Sequence, residues 1–107
     1  MKLALAGLNH RTAPDEVREQ IAFRPEELPH ALAVLHQQPG LREGMILSTC
    51  NRVEIAAMLD DNAASARILE NFLALSHDLS AETVRPHLYL YEEADAIRHL
   101  FRVASSL

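Results

Sequence analysis

Cysteine occurs once in this sequence, at Cys50, so no disulfide can close within the chain and no cysteine-based zinc cage can be built. That composition fits a reducing compartment, and the cytoplasm is the expected location. Glycine is nearly as scarce. Gly7, Gly40 and Gly44 form neither G-x-G-x-x-G nor a P-loop, so this stretch has no usual cradle for a dinucleotide. Two tyrosines and three phenylalanines, not interleaved with basic residues, supply no stacking platform of the kind that reads single-stranded RNA. No apolar run approaches the roughly 20 residues needed to cross a bilayer. The apolar start, Met1 to Leu8, is short, lacks a cleavage-site pattern and runs straight into His10 and Arg11. Positive charge is also in deficit: 10 Lys plus Arg against 15 Asp plus Glu leave a net charge of −5. Any nucleic-acid contact must therefore be local and specific rather than driven by a general basic field.

What is present reads as one folded domain. The 107 residues are 49% hydrophobic and 23% charged, which are globular proportions. Leu3, Leu5 and Leu8 among small residues mark a first strand. Pro14, Asp15 and Glu16 open a short helix carrying Val17 and Ile21. A second helix starts at Pro25 or nearer Leu28, since Pro29 is tolerated only in a first turn; Leu28, Ala31, Leu32 and Leu35 form its apolar stripe. Met45 to Leu47 reads as a strand. Val53, Ile55, Ala57 and Leu59 alternate with Arg52, Glu54, Ala56 and Met58 in another, with a turn at Cys50 between the two. A third long helix spans Ala64 to Leu75, a fourth strand His87 to Tyr91, and a last helix starts at Glu93 with Ile97, Leu100, Phe101 and Ala104 expected inward. The β-α-β-β-α-β order predicts an α+β fold, a ferredoxin-like sandwich with an antiparallel sheet and additional helices.

Chemistry concentrates around Cys50, the one strong nucleophile, which is flanked by Ser48, Thr49, Asn51 and Arg52. Lone cysteines are commonly inert packed thiols. The crowd of polar neighbours argues instead for a turn in which a thiolate or an oxyanion is stabilised. Arg52 and Glu54, two apart on a strand, share a face, so a carboxylate-binding fork held by Glu54 competes with an ordinary solvated ion pair. The six histidines, His10, His30, His36, His77, His87 and His99, have no metal-ligand spacing, and no metal is expected. His10 follows the first strand. His99 lies off the apolar stripe of the last helix, either solvated or lining a cleft, where an imidazole near a thiol would serve as general base.

Three segments carry a family resemblance: Gly7-Leu8-Asn9-His10-Arg11-Thr12-Ala13-Pro14 with Val17-Arg18-Glu19, then Leu47-Ser48-Thr49-Cys50-Asn51-Arg52-Val53-Glu54-Ile55, then His99-Leu100-Phe101-Arg102-Val103-Ala104-Ser105. The chain resembles the N-terminal catalytic domain of bacterial glutamyl-tRNA reductase. The resemblance implies NADPH-dependent reduction of glutamyl-tRNA to glutamate-1-semialdehyde in tetrapyrrole synthesis, through a Cys50 thioester. It implies Cys50 as nucleophile and His99 as acid-base partner, with Arg52, Glu54, Thr49, Asn9 and His10 binding substrate. Residues 1–107 are then expected to be a glutamyl-tRNA-binding fragment lacking the NADPH-binding and dimerisation domains. The whole enzyme is expected to be a homodimer, away from membranes, that passes product to the next pathway enzyme. Ala56 replaces an aromatic residue usual in the family, and Ser106 a glycine. The competing class is a non-catalytic ferredoxin-like binding module with a structural cysteine.

Overall fold

The computed structural model describes residues 1–105; Ser106, where the family pattern has glycine, lies outside them. Four strands and five helices alternate: β1 (Lys2–Asn9), α1 (Asp15–Ile21), α2 (Leu28–His36), β2 (Leu41–Ser48), β3 (Arg52–Leu59), α3 (Ser65–Ser76), α4 (Ala81–Val84), β4 (Tyr89–Glu92) and α5 (Ala94–Ala104). Short 3-10 turns at Pro25–Glu27 and Arg85–His87 precede α2 and β4. Pro29 thus falls in the first turn of α2, where its missing N–H costs nothing. The sheet order is β2-β3-β1-β4, and each neighbouring pair is antiparallel. No helix among the described residues is long and apolar enough to cross a membrane.

The period of two divides the sheet into unlike faces. On one face Ala4, Ala6 and Leu8 of β1 and Val53, Ile55, Ala57 and Leu59 of β3 are buried against Ile21, Leu35, Leu69, Phe72 and Leu73 from the helices. This is the main core, and Phe72 is its largest fully buried side chain. The second face holds a smaller cluster of Leu5, Ala56 and Ala96, with Leu3, Tyr89, Tyr91 and Leu100 packed against it. Ala56 is part of this close contact between sheet and α5.

Three local expectations need correction. β2 extends back to Leu41 across an irregular step between Leu41 and Glu43, so its charged first half hid the strand. β4 starts at Tyr89 rather than His87, because the chain around Pro86 forms the 3-10 turn. In α5 the buried residue is Ala96, while Ile97 and Phe101 are 48% and 70% exposed. Ile97, Phe101 and Ala104 of the expected stripe point outward, because α5 instead turns Ala96 and Leu100 toward Leu3, Leu5, Tyr89 and Tyr91 on the sheet. A small alanine lets the helix lie close to it.

Candidate active site

β2 and β3 are joined by Thr49, Cys50 and Asn51, with Ser48 opposite Val53 in the register. The Thr49 N–H donates to the Arg52 carbonyl at 2.8 Å. Its hydroxyl oxygen accepts the N–H groups of Asn51 and Arg52, both at 3.2 Å. A threonine hydroxyl of this kind closes the turn as a backbone carbonyl would. Ser48 Oγ accepts the Phe23 N–H at 2.9 Å, which ties the turn to the segment following α1. Cys50 is left exposed at the tip of a fixed hairpin, unlike a packed structural thiol.

Arg52 and Glu54 project together onto the second face. Glu54 is 2% exposed and the Arg52 side chain 18%, so this is no solvated surface pair. Arg52 Nη1 donates to Glu54 Oε2 at 3.3 Å, and the same oxygen takes short contacts from the Tyr89 hydroxyl and from His99 Nε2. Glu54 Oε1 is buried and has no hydrogen-bond partner among the described residues. A carboxylate this deep is tolerable only with cationic and hydrogen-bonding partners, since desolvating an isolated charge is expensive. Burial pushes the Tyr89 phenol well above its ordinary range, and the hydrogen bond and charge of Glu54 push it further.

Sheet register explains how the three elements meet. Gly7 of β1 stands opposite Glu54 on one side and Tyr89 on the other. A Cβ at position 7 would lie 2.7 Å from Glu54 Cγ, so the absent side chain leaves the corridor through which Tyr89 reaches Glu54. His99 comes from α5 above, stacked on Tyr91 at 4.8 Å between ring centroids and tilted against Tyr89 at 5.3 Å. In the neutral tautomer whose Nε2–H donates to Glu54, the imidazole presents Nδ1 as a free acceptor.

Above this floor lies a cleft of about 740 Å³, lined by Asn9, His10, Arg11, Leu47, Thr49, Asn51, Arg52, Tyr91, His99, Arg102 and Val103. The structure therefore brings together Asn9, His10, Thr49, Arg52 and His99, with Glu54 beneath them. Cys50 borders an adjoining depression of about 390 Å³ with Asp15, Arg18 and Glu19; Thr49 and Asn51 border both. Cys50 itself lines the smaller depression and not the larger cleft, so the structure does not bring its thiol among His99 and Arg52. Asn9 shapes the facing wall: its Oδ1 accepts the N–H groups of Arg11 and Thr12, at 2.9 and 3.2 Å.

Tyr89, Tyr91, Arg11, Arg102 and Asn51 belong to this site although sequence reasoning did not single them out. Alternation in β4 puts Tyr89 and Tyr91 on one face, and buried tyrosine hydroxyls seek partners, but only the strand order shows that the partner is Glu54. Among the described residues no group of three or more His, Cys, Asp or Glu is placed to hold a metal. Cβ atoms at Gly7 and Gly44 would meet Glu54 and Leu35 side chains, so neither glycine faces an open phosphate cradle.

Residues 6–107 match the family model described as glutamyl-tRNAGlu reductase, N-terminal domain. The chain is 52% identical over all 107 residues to the glutamyl-tRNA reductase of Solibacter usitatus, covering 25% of that protein. It is 49% identical, again over its whole length, to the glutamyl-tRNA reductase of Syntrophotalea carbinolica, covering 24% of it. A solved structure of glutamyl-tRNA reductase from Methanopyrus kandleri superposes with a TM-score of 0.70 at 30% identity, over 96% of this chain and 22% of that one. The chain spans about a quarter of the length of the curated relatives it matches. On the family match and these identities, the chain belongs to the N-terminal domain family of glutamyl-tRNA reductase.

Proposed function

We propose that this chain accepts the glutamyl group of glutamyl-tRNA onto Cys50. The carrying observation is the exposed Cys50 in a turn whose neighbours Thr49 and Asn51 line a cleft that also gathers Asn9, His10, Arg52 and His99, in a chain of this family. The Cys50 thiolate attacks the ester carbonyl carbon. The new C–S bond forms as the C–O bond to the terminal ribose breaks, and the ribose oxygen leaves with a proton. We assign that proton to His99, oriented by Glu54, which takes it from the Cys50 thiol at Nδ1 and returns it to the ribose oxygen. The Arg52 guanidinium, held against Glu54, presents its remaining N–H groups to the glutamyl carboxylate or α-amino acid framework. Thr49, Asn9 and His10 complete the walls.

The next step in such enzymes, reduction to glutamate-1-semialdehyde with NADPH, is not assigned to residues of this chain. We place the cofactor site, the homodimer contacts and any hand-over of product to the next tetrapyrrole-pathway enzyme in the other three quarters of proteins of the relatives' length. A substrate shared with translation supports the cytoplasm as the location. The architecture fits the ferredoxin-like split βαβ pattern, because β3 lies between β1 and β2 and is antiparallel to both. The test is intact mass after incubation with glutamyl-tRNA and no reductant. A glutamyl adduct that hydroxylamine removes, and that Cys50→Ser lacks, is the expected result. An adduct that persists in Cys50→Ser would overturn the assignment.

A further inference from the structure

The cleft is cationic on a protein that is not. Three arginines, Arg11, Arg52 and Arg102, line it, no carboxylate does, and the chain carries a net charge of −5. The three are not equivalent. Arg52 is committed downward to Glu54 and its side chain is 18% exposed. Arg11 and Arg102 are exposed, and among the described residues neither has a carboxylate within salt-bridge distance. They also come from separate supports. Arg11 sits on the loop braced by the Asn9 side chain, and Arg102 lies three residues beyond His99, on the same face of the last turn of α5. The volume, about 740 Å³, exceeds what one amino-acid side chain fills.

We infer that Arg11 and Arg102 form a phosphodiester subsite at the rim of the cleft, taking the backbone of the RNA's 3′-terminal nucleotides while the acyl group lies toward Arg52 and His99. The inference rests on the acyl-transfer reading above and adds to it where the RNA binds. Guanidinium forks match phosphate oxygens, and two of them free of internal partners meet the requirement for a local contact on an acidic chain. Among the described residues these two cations have no carboxylate partner, whereas Arg52 below them is paired with Glu54.

The test uses deacylated RNA, so it is independent of Cys50 chemistry. Fluorescence anisotropy with a short single-stranded RNA ending in the tRNA 3′ terminus is followed across a salt series for the wild type and for Arg11→Gln/Arg102→Gln. Each phosphate contact on a single strand contributes about 0.7 to the slope of log K against log salt, so the double variant should lose about 1.4, or roughly 25-fold in affinity at 0.1 M salt relative to the 1 M intercept. Arg42→Gln/Arg98→Gln removes the same charge from exposed residues paired with Asp60 and Asp95, outside the cleft, and should keep the wild-type slope. Equal slopes for the two double variants, or wild-type binding that does not respond to salt, would overturn the subsite. Failure of the Cys50 adduct with this slope difference intact would remove the acyl-transfer reading alone.

Discussion

Replacing Gly7 by alanine tests the packing on which the site depends, and the expected sign is opposite to that of strand preference. In a strand interior alanine is normally favoured over glycine by roughly 0.5–1 kcal/mol. Here the new Cβ would stand 2.7 Å from Glu54 Cγ and 2.7 Å from the Val53 carbonyl oxygen. Carbon atoms rest at about 3.5 Å or more, so something must move by most of an ångström. Val53 belongs to a strand paired on both sides, and Glu54 is held by Arg52, Tyr89 and His99, so neither gives way freely. Overpacking of this kind costs about 1–3 kcal/mol. Separating Tyr89 from the carboxylate removes a hydrogen bond to a charged group, about 1.5–3 kcal/mol more. The expected loss is therefore about 2.5–6 kcal/mol, and the melting temperature should fall by about 10 °C or more. Urea unfolding followed by circular dichroism measures the first, and a Tyr89→Phe background supplies the coupling. With the hydroxyl already gone, Gly7→Ala should cost less by about 1.5–3 kcal/mol, the share assigned to that bond. Gly44→Ala is the internal comparison: its Cβ would meet Leu35 Cδ2 at 2.6 Å, the tip of a side chain, so its cost should be smaller. A neutral or stabilising Gly7→Ala, or equal losses in both backgrounds, would refute the corridor.

Three further outcomes follow from the same contacts. Glu54→Gln keeps the shape but turns charge-assisted bonds into neutral ones, and should cost about 1–3 kcal/mol in urea unfolding; it should also lower the pH at which the Tyr89 phenol ionises, read by ultraviolet difference absorbance. Burial holds the His77 imidazole below its ordinary range, against the opposing charge of Glu27 and a hydrogen bond with the Ile21 backbone. The unfolded chain therefore takes up that proton first as pH falls below about 6.5. Stability should decline through that window, and His77→Gln should flatten this part of a stability-against-pH curve. Phe72→Ala, in the main core, should cost about 3–5 kcal/mol and leave the salt slope for RNA binding per folded molecule unchanged.

The sequence was most legible where one periodicity governed both burial and chemistry. Alternation in β3 placed Arg52 and Glu54 on one face, and the polar run from Ser48 to Asn51 marked the turn. α5 misled because counting apolar residues rewards Ile97 and Phe101, whereas the sheet face beneath it selects a small Ala96 and a polar His99. The burial of Glu54 and the role of Tyr89 could not be read, since both depend on Gly7 lying between them. That adjacency comes from the strand order β3-β1-β4, which joins residues far apart in the chain. Arg11 and Arg102 were hidden for the same reason: a cleft mouth is made by two elements, and neither alone signals it.

The two unlike faces of the sheet divide labour within four strands. One face carries the main apolar core; the other carries a smaller apolar cluster beside a buried carboxylate and its partners. Changes on the first should register as lost cohesion, and changes on the second as altered recognition, with Gly7 among the few positions where the two are joined. Such a layout lets a lineage retune what the cleft receives while the scaffold beneath keeps its own separate safety margin.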